Sequence, residues 1–441
     1  MNFRRKFAAI LLFAAALLLT GCGMRTVDQM YAVPKRSSEY QDLQKAIDRA
    51  MSGLEYSAPQ SGENQQTVQM ADLDGDGMEE YLLFARGNSD DPMKIFIFSR
   101  QDEAFSLQQT IKSRGAGFEF VEYLDIDENP GKELVVGLKV SDQVLRYLVV
   151  FSFRSDEAKQ LLAVNYSKFV SADLDEDGYA DLMVINPGQD EENKAVAALY
   201  RYTDGEMVRS MEARMSEDCD NIKRIMVSKL QGGTPAVYVA SLVEESAIIT
   251  DIFAMQDGRF SNISLSNESG TSVQTLRNHY VYAMDIDSDG TLELPSLMDM
   301  RPVQNNPNLP TQHLIRWFAM AEDGSEVDKN YTFHNLDGGW YFVLDGKWAP
   351  RISVIRNADV CTFYVWDADF EKAEKLMTVY AFTGSDREMK AVEENRFIVY
   401  KSDSVVYAVK LDVAALSYGV TEENLEGRFH LIHLDWKSGE T

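Results

Sequence analysis

The chain has 441 residues, with 70 acidic against 43 basic side chains and a formal charge of −27. A chain this acidic excludes nucleic acid as a partner, because phosphate contacts need Lys and Arg. Hydrophobic residues at 45% and aromatic residues at 11% exclude a disordered chain and supply cores for two or three domains.

The first segment, 1–21, has the make-up of a secretory leader. "MNFRRK" is a positive n-region, and Phe7 to Leu19 is a nearly unbroken apolar run too short to span a bilayer. It ends in "LTGC", Leu19 to Cys22, which resembles the lipobox of bacterial lipoproteins. That resemblance implies cleavage before Cys22 and acylation of its thiol and new amine. Buried methylenes at roughly 0.8 kcal/mol each would then make the membrane anchor stable. An ordinary signal with an incidental cysteine is the alternative. Removing 1–21 takes away Arg4, Arg5 and Lys6 and no acid, so −27 becomes −30. Anionic headgroups repel such a chain, which favours a body held off the membrane. Only Cys219 and Cys361 remain beyond Cys22, neither in a C-x-x-C pair, so no thiol chemistry and no disulfide are expected.

Residues 22–55 read as a tether and an amphipathic helix. Ser38 and Gln41 have capping-box spacing, and Leu43, Ala46, Ile47, Ala50, Met51 and Leu54 recur on one helical face. This helix is expected to pack on the first domain.

From 56 to 333 the pattern is all strand: short apolar runs such as "YLLFAR", "ELVVGLKV" and "DLMVIN", bounded by turn residues. Four runs follow an acidic loop that opens at Asp72, Asp125, Asp173 or Asp285, at steps of 53, 48 and 112 residues. The last step is twice 56, and the midpoint holds "KLQGGTPAVYVA", where Leu230 takes the place of Leu73 and the acids are gone. Five units of about 50 residues, each with four strands, predict a mainly β fold whose N-terminal part is a β-propeller of five blades. Six blades is the alternative, if part of the C-terminal region contributes.

The loops carry the candidate chemistry. Counting the opening aspartate as position 1, acids or amides stand at positions 1, 3, 5 and 9. They are Asp72, Asp74, Asp76 and Glu80; Asp125, Asp127, Asn129 and Glu133; Asp173, Asp175, Asp177 and Asp181; and Asp285, Asp287, Asp289 and Glu293. Position 7 would add the carbonyl of Met78, Gly131, Tyr179 or Thr291. Alternate oxygens on a tight turn converge on one point, and hard ligands without His or Cys indicate Ca²⁺. Position 12 of the first loop is Leu83 and a strand follows, so this is not an EF-hand. The loops resemble instead the calcium loops of FG-GAP/VCBS-type repeats, over roughly 56–333. The resemblance implies up to four structural Ca²⁺ sites. The FG and GAP signatures are not evident and the loop near 229–234 lacks acids, so no site is expected there. Solvated acidic turns without metal are the alternative.

Residues 334–441 read as a separate α+β domain. The strand order "WYFVLDGKW … FYVWD … LMTVYAFTG … VVYAVKL" resembles small secreted Firmicutes domains of PsbP-like type, which favours the cell surface of a monoderm bacterium. Trp340 and Trp348 read as core or edge residues. A closing helix is expected from Thr421, with Leu425, Phe429 and Ile432 as its apolar face, and His430 and His433 as a solvated pair.

No G-x-S-x-G, H-E-x-x-H or P-loop occurs. Glu119 and Glu122 are three apart in an expected strand and so face opposite sides, Asp251 stands alone, and Ser385 reads as a loop residue. The expectation is therefore a monomeric, membrane-anchored extracytoplasmic lipoprotein. Its calcium-stabilised propeller would bind a protein or glycan partner without catalysing a reaction. A glycan-active hydrolase or lyase, or an accessory subunit of a surface receptor, are the alternatives.

Overall fold

The computed structural model describes residues 38–101, 104–140, 146–154, 157–188, 194–244, 247–303, 311–357 and 359–432. The leader, Cys22, most of the tether and His433 lie outside them. No helix among the described residues is long and apolar enough to cross a membrane. The described residues form two compact units: one of 38–58 with 66–72 and 77–114, the other of 59–65, 73–76 and the described residues from 115 to 432.

The first unit is one antiparallel sheet and one helix. Strands Glu55–Tyr56 and Val68–Ala71 both pair with Glu80–Arg86, followed by Met93–Gln101 and Ala104–Ser113. The helix Ser38–Ala50 forms where the 3.6-residue stripe predicts. Its Leu43 and Ile47 are buried in one cluster with Leu83, Ala85, Phe96 and Phe98, and Ala46, Ala50, Met51 and Leu54 pack around them.

The second unit holds five further antiparallel sheets, of which the second to the fourth are runs of neighbouring hairpins. The second sheet is Gly117–Leu124, Glu133–Lys139, Arg146–Arg154 and Glu157–Tyr166. The third is Lys168–Ala172, Asp181–Pro187, Ala195–Thr203 and Glu206–Arg214. The fourth is Ile222–Lys229, Pro235–Val243, Ala247–Gln256 and Arg259–Asn262. The first three acidic loops join strands that the repeat spacing anticipates.

Side-chain alternation explains why the strand after each loop is apolar throughout. In Asp181–Pro187, Leu182 and Val184 pack with the second sheet, while Met183 and Ile185 pack with the fourth. In Pro235–Val243, Val237 and Val239 face the third sheet, and Ala236 and Tyr238 face the fifth. A strand covered on both faces needs apolar residues at every position. Each such buried side chain contributes about 1.5–3 kcal/mol relative to exposure.

The C-terminal region departs from expectation in three places. The segment "YVYAMDI", which the repeat pattern makes the first strand of the fifth unit, supplies no strand to the fifth sheet, only an isolated bridge from Met284 to Glu293. That sheet is instead Glu293–Asp299, His313–Met320, Glu326–Asn335, Trp340–Leu344 and Phe429–Leu431. The boundary expected at 333/334 thus falls inside a strand, and Trp340–Leu344 pairs back onto it. The sixth sheet comprises Ile352–Asn357, Val360–Trp366, Ala373–Thr383, Val405–Leu411 and Phe397–Lys401. One core joins it to the fifth, with Phe333, Trp340 and Phe342 packed among Phe363, Val379 and Val409. Trp340 and Trp348 are buried there. The closing helix is only Glu422–Glu426, capped by Thr421 and Asn424 in a reciprocal box. Leu425, Phe429 and Ile432 are buried as expected, but Phe429 and His430 lie on a strand, because pairing with Trp340–Leu344 satisfies that backbone. Cys219 and Cys361 are buried free thiols.

Candidate metal centres

One hydrogen-bond scheme shapes the acidic loops. In the third, Asp173 accepts from the amides of Asp177 and Gly178 at 3.1 and 3.0 Å, and Asp181 accepts from the amide of Leu174 at 3.3 Å. In the fourth, Asp285 accepts from Asp289 and Gly290 at 3.0 and 2.9 Å, and Glu293 accepts from Ile286 at 2.9 Å. Gly178 and Gly290 sit at φ of 95° and 88°, a region open to glycine at little cost. The residue after the first aspartate is a buried anchor in three of the acidic loops (Leu73, Ile126 and Leu174), and Leu230 does the same in the acid-free turn. The opening aspartate therefore clamps the turn, the closing acid holds its base, and the anchor pins it to the core.

Three carboxylates converge in the third loop, Asp173, Asp175 and Asp177, and three in the fourth, Asp285, Asp287 and Asp289, each set within 4.8 Å. Behind the fourth set stands Glu293, fully buried, with Oε2 on the Ile286 amide and Oε1 without a hydrogen-bond partner. Burial pushes its carboxyl up to about 7, and the charges of Asp287, Asp289 and Asp285 add to that. Asp181 rises to about 7 for the same reasons, burial first and then Asp177 and Asp173. Tyr179 and Thr291 donate their amides to Asp177 and Asp289 at 2.9 and 2.8 Å.

The second loop is built differently. Among the described residues, no three of its acids converge. Asp127 is fully buried and already bonded by the Asn129 amide and side chain, by Ser152 at 2.9 Å and by Arg154 at 3.3 Å. Burial alone would raise its carboxyl, but these donors outweigh it and hold it below the usual range. Glu133 accepts from the amides of Ile126 and Asp127 at 2.8 and 3.2 Å. The set Asp125, Asp127, Asn129, Gly131 and Glu133 is thus a turn closed by the protein's own donors. The first loop is divided between the two compact units. Within the first unit Asp72 accepts from Gly77 at 3.0 Å, and within the second Asp74 accepts from Asp76 at 3.1 Å.

Basic side chains from distant strands meet the loops, which spacing alone did not reveal. Arg201 pairs with Asp175, with Asp181 at 3.4 Å and with Asp177 at 3.8 Å. Lys329 lies 2.6 Å from Asp289. For Arg201 the strand register accounts for the contact: Leu182 faces Tyr200, so Asp181 and Arg201 are the next pair along.

The remaining candidate acids have partners within the fold. Glu119 accepts from Tyr166 at 2.7 Å and pairs with Arg146 at 3.1 Å. Burial raises Glu122. Asp251 is not alone: fully buried, it accepts from Ser216, Ser272 and Asn262. Ser385 is an exposed turn residue.

No protein-family model and no curated protein matches the chain. Among solved structures it is similar to an exotype rhamnogalacturonan lyase, YesX, at 14% identity and a TM-score of 0.34, over 73% of this chain and 56% of the lyase. It is also similar to a protein from Lactobacillus plantarum at 13% identity and a TM-score of 0.27, over 72% of this chain and 85% of that one. The chain therefore spans little more than half of the lyase. Likenesses at this level assign neither an activity nor its absence. The expectation that the chain is not an enzyme is accordingly withdrawn: one structure it resembles is an enzyme, and the lack of a familiar catalytic motif excludes nothing.

Proposed function

We propose that this chain is an extracytoplasmic module held to the membrane through lipidated Cys22, stabilised by Ca²⁺ in its acidic loops, which binds a protein or glycan partner. The observation that carries the calcium reading is Glu293, whose buried Oε1 lacks a partner beside three converging aspartates. A hard dication answers both problems, the orphaned oxygen and the clustered charge, and an all-oxygen donor set selects Ca²⁺. The third loop is the second site, where Arg201 already shares the acids and competes with the ion.

The FG-GAP/VCBS-like spacing and the successive packing of the second to sixth sheets support repeated blades, six when the first sheet is counted. The leader and its lipobox-like end support export and anchoring, and the charge excludes nucleic acid. Loops clamped by metal on a rigid scaffold are suited to presenting binding residues.

The test is thermal unfolding of the mature chain, with calcium titrated from chelator to millimolar. At millimolar Ca²⁺ and a Kd of about 10⁻⁴ M, each occupied site adds about 1.4 kcal/mol. Magnesium should not reproduce the rise. Asp285→Ala and Asp173→Ala should each remove part of it, and Asp125→Ala none. A melting curve indifferent to calcium, with no heat of binding, would overturn the metal reading.

A further inference from the structure

The fourth loop borders a cavity of about 570 Å³, within the range of small-molecule sites. Asp287 and Ser288 of the loop line it, together with Asn330, Asp345, Arg428 and His430. These groups come from the loop, from the strand Glu326–Asn335, from the turn after Trp340–Leu344 and from the chain returning to that sheet. Arg428 is half-buried and forms no ion pair among the described residues. Its backbone is held, since its carbonyl accepts from Val343 at 2.9 Å. His430 is fixed by stacking on Tyr341, with centroids 5.0 Å apart. Asp345 accepts from the Lys347 amide at 2.9 Å. The cavity thus has one guanidinium outside any ion pair among the described residues, with two carboxylates that accept and an amide and a hydroxyl that both donate and accept.

We propose that this cavity binds a sugar acid, a hydroxylated ring bearing a carboxylate, with Arg428 as the carboxylate anchor and calcium in the fourth loop as its positive effector. A guanidinium fork matches a carboxylate in two parallel bonds. Asp287, Asp345, Asn330 and Ser288 suit ring hydroxyls, which both donate and accept. The effector role rests on the calcium reading above. Asp287 belongs to both the metal set and the cavity wall. Without the dication, its charge and those of Asp285 and Asp289 oppose an anionic ligand. With it, the repulsion is offset, and by reciprocity the ligand tightens the ion.

Calcium binding to the mature chain is measured by calorimetry. Binding of glucuronate and galacturonate is then measured in chelator and in millimolar calcium, with glucose and galactose as neutral counterparts. The expected result is preference for the acids and roughly five-fold or greater tightening by calcium, the lower end of typical coupling. Arg428→Gln should abolish the acid preference and leave calcium binding unchanged. If calcium binds but the acids bind no better than the neutral sugars, no tighter with the ion, or equally well to Arg428→Gln, the cavity proposal is overturned and the calcium reading stands. If calcium itself does not bind, both fall.

Discussion

A half-buried histidine and a buried aspartate in the second unit pull stability in opposite pH directions. His334 is pushed down to about 3, first by burial and then by the nearby charge of His279. Its Nε2 lies 2.9 Å from the Thr332 hydroxyl and its ring 5.0 Å from that of Tyr341. The unfolded chain takes up this proton near pH 6.5 while the folded chain does not, so stability is present above that pH and is lost as pH falls towards 3. The loss at pH 5 should be on the order of 1–2 kcal/mol. Urea unfolding of His334→Gln should show a flatter slope between pH 7.5 and 5 than the parent; equal slopes would refute the assignment. Asp251 has the opposite sign. Burial raises its carboxyl more than Ser216, Ser272 and Asn262 lower it, so its contribution declines as pH rises through the folded value. Nothing in the sequence around Asp251 announced this, because its partners lie 11 to 35 residues away.

At the scale of the turn, glycine position decides what the acidic loops tolerate. Within the second unit, Gly75 has φ of 76°, and a Cβ there would overlap the backbone carbonyl of Pro130 in the second loop. Gly178 also has positive φ, at 95°, but a Cβ there meets open space. Gly178→Ala should therefore cost about 1 kcal/mol from backbone conformation alone. Gly75→Ala should cost about 1–3 kcal/mol more, since two main-chain segments must separate. Equal losses in denaturant unfolding would contradict the contact. The turn residues and their alternating acids were legible in the sequence because a tight turn is a local object. Which loop gathers its acids was not: Asp127 is captured by Ser152 and Arg154, 25 and 27 residues on.

At the scale of the second unit, each sheet from the second to the sixth shares a core with the next, so stability is collective. Phe342 is fully buried between the fifth and sixth sheets, with Phe363 and Phe429 at centroid distances of 6.3 and 5.5 Å. Phe342→Ala should cost about 3–5 kcal/mol. Hydrogen exchange should quicken in both Glu293–Asp299 and Val405–Leu411, not in the mutated sheet alone. Quickening confined to Val405–Leu411, with Glu293–Asp299 unchanged, would show that 334–441 behaves as the independent domain its strand pattern suggests.

The sequence by itself determined whatever repeats at short range: strands of period two, glycines where the backbone turns left-handed, an amphipathic helix from Ser38, and acids at alternate loop positions. These follow from bond geometry and from the burial of a strand on two faces. The tertiary structure alone decided three other things. It put Trp340–Leu344 and Phe429–Leu431 into the fifth sheet, brought Arg201 and Lys329 to the acidic loops, and left Arg428 at a cavity wall outside any ion pair among the described residues. Pairing and charge compensation at such separations depend on which edges and faces the packed sheets leave open, and no local pattern in the chain encodes that.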